Sequence, residues 1–258
     1  MPSARRSDTA HFAERIRQLV DREKERTSSP EAAKVYAKNQ ARRFKITYDL
    51  CCQLVPDTNA VVCDVGRSPF TERLSNRYAQ VWSLGLPLDE DDGGHRETNA
   101  LRDVPHIACD LNSSIDVDRW PRESVRFDLI VCAETIEHLH TPPELALMML
   151  SSLLKPQGLL LVTTPNACGI ARRLKLLLGS NPFERIRYYA LNPGHFREYT
   201  RREMIEMGET AGLKVRECRT INFYKQRLAV FDWIKIPPPF RDSLVAVYAA
   251  VSTSGFPA

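Results

Sequence analysis

The sequence predicts an α/β fold: a mostly parallel β-sheet with helices on both faces, preceded by a helical N-terminal extension. Two observations predict it. Short apolar runs of roughly four to eight residues recur along the chain, and helical patterns separate several of them. Within those runs the apolar residues are consecutive, not alternating. Strands that are apolar on both faces belong to parallel sheets covered by helices on each side.

The elements follow in order. Residues 11–24 form a charged helix with a sparse apolar stripe of Phe12, Ile16, Leu19 and Val20. Ser28-Ser29-Pro30-Glu31 then reads as a helix start, with proline early and an acid near the positive end. A second helix follows over residues 32–54. The period then changes. Residues 60–66 (AVVCDVG) form an apolar run that ends in an acid and a glycine, a buried strand followed by a turn. Further strands are expected at 80–84, 106–109, 127–132, 159–163, 213–218 and 244–251. Helices are expected at 71–77, 143–154 and 200–211. This divides the chain into an extension over residues 1–45 and one α/β domain over 46–258, with a basic insertion at 170–202.

Composition excludes several classes. The chain has 258 residues, 43% hydrophobic and 26% charged, with 11 Gly and 17 Pro, which suits a globular protein and not a collagen-like or disordered one. No apolar run approaches the length of a membrane span. The N-terminal residues lack the apolar core of a signal peptide, so the expected location is the cytoplasm. Seven cysteines, an odd count without C-x-x-C spacing, argue against a disulfide framework and against a zinc site.

The net charge of +4 conceals a pattern. Residues 1–45 carry +6, residues 46–169 carry −9 and residues 170–202 carry +6. A basic segment beside an acidic body means two kinds of surface and argues against nucleic acid as a general partner.

In an open α/β sheet the ligand site lies at the carboxyl ends of the strands, so the residues just after each strand are the candidates. Asp64-Val65-Gly66-Arg67-Ser68 follows the first strand, Asp110-Leu111 the third, and Ala133-Glu134 through Glu137-His138 the fourth. Carboxylates and amides on one rim suit a ligand with a ribose, an amine and an adenine edge.

Four segments in this order carry a resemblance: VVCDVG, ACDL, FDLIVCAETIEHL and LLKPQGLLLVTTPN, with GHFREYT beyond them. The chain resembles the class I S-adenosylmethionine-dependent methyltransferases, in the branch with E-x-x-E-H-L and G-H-x-R-E-Y-T segments. The resemblance implies a Rossmann-like fold with a seven-stranded sheet, and S-adenosyl-L-methionine as cofactor. It implies that Asp64, Val65, Gly66, Arg67 and Ser68 form the cofactor loop and that Asp110 and Leu111 meet the adenine. Ala133 and Glu134 would border the methyl group.

Two departures from the family pattern stand out. Ser68 and Phe70 replace loop glycines; Phe70 is expected to point into the core. The second strand ends Ser83-Leu84-Gly85 without the acid that grips the ribose, and the nearest acids are Asp89, Glu90, Asp91 and Asp92 in a turn read as solvated.

Glu134, Glu137 and His138 stand at i, i+3 and i+4, so on a helical turn they would converge, and His195 could complete the group. The first reading places no metal there and makes His138 or His195 the general base for an acceptor hydroxyl, with Glu134 beside them. The second reading is a divalent ion on Glu134, Glu137, His138 and His195 that positions the acceptor oxygen. His11, His95, His106 and His140 have no supporting neighbours. The basic insertion holds Arg172, Arg173, Lys175, Arg185, Arg187 and Arg197 among Phe183, Tyr188 and Tyr189, and would overhang the acceptor pocket. That suits an anionic acceptor; the alternative is a solvated helical face, whose leucines must pack on the sheet or on a membrane surface.

The expected activity is O-methylation of a small-molecule or glycan-linked acceptor. The alternatives are a metal-dependent RNA 2′-O-methyltransferase and a binding protein that has kept the fold and lost the cofactor.

Overall fold

A computed structural model describes residues 3–28, 30–88, 101–188, 193–224 and 236–251. The acids at 89–92, His95 and Tyr189 lie outside the described residues. Two long helices, α1 (Ser3–Ser28) and α2 (Pro30–Leu54), precede the sheet. The strands are β1 (Val61–Val65), β2 (Gln80–Gly85), β3 (His106–Ala108), β4 (Phe127–Ala133), β5 (Leu154–Pro165), β6 (Lys214–Ile221) and β7 (Ser243–Ala249). The remaining helices are α3 (Pro69–Ser75), α4 (Pro143–Ser152), α5 (Ile170–Leu177) and α6 (Arg201–Thr210). All seven expected strands are present. Among the described residues no helix is long and apolar enough to cross a membrane.

The sheet order is β3-β2-β1-β4-β5-β7-β6. The pairings from β3 to β5 are parallel, and β7 runs antiparallel between β5 and β6. The order reverses between β1 and β4, which makes the carboxyl ends of those two strands the switch point where this architecture holds ligands.

Successive residues of β1 divide between two cores. Val61, Cys63 and Val65 join a cluster with Leu147 and Leu150 of α4 and Met204 and Met207 of α6. Val62 joins Leu50 and Cys51 of α2 and Phe70 and Leu74 of α3. Burial on both faces is why the strands read as unbroken apolar runs. All seven cysteines are free thiols.

Local sequence explains the helix starts. Ser68 accepts from the Phe70 N–H, Thr71 closes a capping box, and Pro69 takes the first helical position of α3. Thr200 and Glu203 make the same box at the start of α6. Gly208 lets α6 lie against β7: a Cβ there would come within 2.3 Å of the Tyr248 ring. At the amino edge of the sheet Asp128 accepts from the Val61 N–H at 2.8 Å and from Lys155 Nζ at 2.6 Å. The F-D and L-K-P segments are therefore tied to each other structurally, on the edge opposite the site.

The boundary placed at residue 45 falls inside α2. Phe44 and Ile46 of that helix pack on the second core, and Phe44 meets the Phe70 ring at 5.7 Å. Phe70 is buried at this contact, as its place in the loop predicted.

Candidate active site

The loop after β1 begins at Asp64, which is buried and accepts from Thr71 Oγ1 at 2.6 Å. Burial raises its carboxyl to a pKa of about 7, against the lowering effects of Thr71 and Arg43. Gly66 follows with φ +98. Among the described residues, apart from its two chain neighbours, no atom lies within 4 Å of where its Cβ would stand, so the backbone faces open space that a side chain would fill. Arg67 turns away from that space. Its buried guanidinium donates to Ser83 Oγ at 3.0 Å, to the Val104 carbonyl at 2.9 Å and to the Leu101 carbonyl. Ser68 caps α3. Of the expected loop residues, Arg67 and Ser68 thus have side chains committed to structure, Asp64 is buried on Thr71, Val65 packs in the core, and Gly66 presents its backbone to open space.

Asp110 is exposed at the end of β3 and accepts from the Asn112 N–H at 2.9 Å, while Leu111 packs in the core. At the end of β2, Ser83 lies 2.9 Å from His106 Nδ1. His106 is therefore part of the frame beneath the loop.

The turn after β4 differs from its sequence reading. Glu134 has φ +53, a left-handed conformation that costs a non-glycine residue about 1–2 kcal/mol. A 3-10 turn starts only after Thr135 and covers Ile136–His138. Glu134 is therefore not on a shared helical face with Glu137 and His138. Its Oε1 accepts from Thr163 Oγ1 at 3.0 Å and its Oε2 lies 3.8 Å from Arg43 Nη1 of α2. Burial raises the Glu134 carboxyl, and Arg43 opposes the shift. The Arg43 guanidinium is itself nearly enclosed, donates to the Tyr36 hydroxyl at 2.9 Å, and has an Nε without a partner among the described residues.

Glu137 is fully buried. Its Oε2 accepts from Thr164 Oγ1 at 3.0 Å, and its Oε1 has no partner among the described residues. Burial and then the neighbouring Glu134 charge push its carboxyl well above the usual range. His138 Nδ1 donates to the Gly194 carbonyl at 2.8 Å, which fixes the tautomer and leaves Nε2 as the acceptor. Burial and the adjacent His195 lower its pKa to about 4. The two imidazoles meet edge to face at 4.8 Å. His195 Nδ1 lies 3.2 Å from Glu198 Oε1, and Arg172 binds the same oxygen at 2.8 Å. Glu198 is lowered despite its burial, because the His195 ring and the Arg172 guanidinium both donate to it.

The structure therefore brings Glu137, His138 and His195 together, with one donor atom from each within 4.8 Å of the others. Glu134 is outside this group of three, turned to Arg43 and Thr163, although its charge is felt by Glu137. Carboxylate and imidazole are the donor types that hold a divalent ion, and Glu137 Oε1 has no partner among the described residues.

Arg43, Thr163, Thr164 and Glu198 were not among the expected residues. One readable signal existed in α2. Tyr36, Gln40, Arg43 and Thr47 recur at i, i+4, i+7 and i+11, a polar stripe, and Tyr224 donates to Gln40 Oε1 at 2.9 Å.

A methyltransferase-domain family matches residues 40–218, from α2 into β6. The chain belongs to this family, the class I S-adenosylmethionine-dependent methyltransferases. Solved structures agree in fold. An S-adenosylmethionine-dependent methyltransferase from Clostridium acetobutylicum aligns with 86% of this chain and 98% of its own at 12% identity and TM-score 0.58. The 1,6-didemethyltoxoflavin-N1-methyltransferase of Burkholderia thailandensis, with 1,6-didemethyltoxoflavin and S-adenosylhomocysteine bound, aligns with 88% and 85% at 18% identity and TM-score 0.54. Magnesium protoporphyrin IX methyltransferase from Synechocystis, bound to S-adenosylhomocysteine, aligns with 83% and 86% at 15% identity and TM-score 0.52. No curated protein sequence matches. The methyltransferase thus has the seven-stranded Rossmann-like architecture of its family, and S-adenosylmethionine is the cofactor. The open space at Gly66 fits that cofactor, because no side chain stands there to keep a ligand off the backbone; the Gly66 N–H itself donates to the Leu84 carbonyl at 2.7 Å.

Proposed function

We propose that this methyltransferase methylates an oxygen of a small-molecule or glycan-linked acceptor, with His195 as general base. The observation that carries the reading is the Glu198–His195–His138 arrangement at the carboxyl edge of the sheet. Asp64 and the backbone of Val65 and Gly66 hold the cofactor's amino-acid end, and Asp110 takes its adenine amine. The cofactor supplies a methyl group already activated on a sulfonium, so the protein's tasks are positioning, exclusion of water and removal of one proton. Glu198 accepts from His195 Nδ1. It orients the ring and, together with Glu184 Oε2 at 3.7 Å from Nε2, compensates the charge gained when Nε2 takes the hydroxyl proton. His138, held neutral by burial, is too weak a base for this step and orients the hydroxyl through Nε2. The 1,6-didemethyltoxoflavin bound to the Burkholderia neighbour, itself an N1-methyltransferase, supports a small-molecule acceptor.

A second reading is favoured by the unpartnered Glu137 Oε1. Glu137, His138 and His195 would hold a divalent ion, whose charge would lower the pKa of the acceptor hydroxyl. Methyl transfer from labelled S-adenosylmethionine into host extract fractions, with and without chelator, tests both. Label incorporated equally in the two arms supports the base. Loss with chelator, restored by added divalent ion, supports the metal.

The Asp64 carboxyl gives a pH prediction. Its pKa near 7 in the free protein means that it is largely protonated below that pH. A cationic cofactor favours the carboxylate, so binding below pH 7 releases a proton. Affinity should rise with pH up to 7 and then level, by up to about tenfold per unit. Calorimetric titrations in two buffers of different ionisation enthalpy measure the released proton. A flat profile would show that Asp64 is not coupled to the cofactor's charge.

A further inference from the structure

The segment after β5 carries an exposed apolar surface beside the residues of the proposed site. α5 has no buried residue. Leu174, Leu177 and Leu178 stand at i, i+3 and i+4 and so share one face. Leu177 and Leu178 are each 82% exposed, and the following chain adds Ile186 at 64% and Tyr188 at 62%. Soluble surfaces carry single exposed leucines; three on one helix face, with two more large apolar side chains exposed in the same segment, mark an interaction site.

Charge identifies the occupant. Residues 170–188 hold five basic side chains and one acidic one, and Arg173, Lys175 and Arg185 are exposed among the apolar tips. The α/β body over residues 46–169 is acidic, at −9. A second copy docked two-fold on this face would oppose these cations with the same cations. Protein interface cores are also depleted of lysine, and Lys175 stands among these leucines. Aliphatic tips flanked by arginine, lysine and tyrosine match the interfacial region of an anionic bilayer, where the apolar atoms enter and the cations meet headgroups.

We propose that α5 and the chain through Tyr188 form a peripheral docking surface for anionic lipid bilayers. The surface adjoins the site: Arg172 of α5 bonds Glu198, and Glu184 Oε2 lies 3.7 Å from His195 Nε2. Docking sets the rim of the site at the lipid surface. The proposal stands whether the acceptor is methylated through a base or through a metal.

The test is co-sedimentation of the full chain with vesicles of phosphatidylcholine alone and of phosphatidylcholine and phosphatidylglycerol in equal parts. The wild type should partition onto the anionic vesicles, and less so at high salt. The Leu177→Asp/Leu178→Asp variant should bind them roughly 100-fold less, because two apolar anchors are lost. The Lys175→Glu/Arg185→Glu variant should bind about tenfold less or weaker still. All four positions are exposed, so unchanged thermal unfolding and cofactor binding will show that the variants are folded. Equal binding by wild type and the leucine variant overturns the proposal, as does failure of the wild type to bind anionic vesicles. A wild-type dimer that the leucine variant turns into a monomer, without vesicle binding, assigns the surface to a second copy and also overturns it.

Discussion

Replacing His195 by alanine is expected to lower kcat by about 10²–10⁴-fold, the range for removing a general base, while the Kd for S-adenosylmethionine changes little. His195 faces His138 and Glu137, and the loop at Gly66 is built from other strands. Glu198→Gln should give a smaller loss with a changed pH profile. The amide can present its N–H to Nδ1 and favour the wrong tautomer, and it cannot compensate a charged ring. Single-turnover rates with saturating cofactor, measured beside calorimetric binding, separate the two effects. Unchanged turnover in His195→Ala would make the ring structural. A chelator-sensitive wild type would move the role of His195 from base to ligand.

Arg43→Met should destabilise the protein by about 3–5 kcal/mol, far more than loss of a surface pair. Both partners of the Arg43–Glu134 bridge are nearly enclosed, with side chains 5% and 11% exposed. Removing the cation leaves Glu134 to bury an unpaired charge or to take a proton, with Glu137 already raised beside it. The double variant Arg43→Met/Glu134→Gln should recover part of the loss, because no charge is then stranded. Denaturant midpoints of the two single variants and the double give the coupling. A loss below about 1 kcal/mol, typical of exposed pairs, would show that the bridge is open to water.

The fold was legible because burial on both faces writes consecutive apolar residues into each strand. β4 and β7 could be read within a residue or two from Phe127–Cys132 and Leu244–Val251. Helix starts were legible where a local signal exists: Pro30 opens α2, and Thr200 and Glu203 open α6. The site was less so, for three physical reasons. Glu134 adopts a left-handed backbone that its residue type does not announce, so the i, i+3, i+4 spacing misled. Arg43 reaches Glu134 across 91 residues of chain, and in a helix that also carries Arg42, Lys38 and Lys45 nothing local marks which cation is buried. Arg67 sits at a loop position, yet its side chain finds carbonyls that only the folded chain places beneath it. His138 and His195 could be nominated from their flanking segments. That Glu198 holds one ring, and the Gly194 carbonyl the other, required the tertiary fold.

The central claim is that residues after β1, β3 and β4 form a working S-adenosylmethionine site although Ser68, Phe70 and Gly85 depart from the family pattern. Calorimetric titration of the folded protein with S-adenosylmethionine tests it most directly, with Asp110→Ala alongside. The expected result is one-to-one binding by the wild type and about tenfold weaker binding by the variant, the loss of one hydrogen bond to the adenine edge. No detectable binding by a folded wild type would contradict it and leave a methyltransferase fold that serves another purpose.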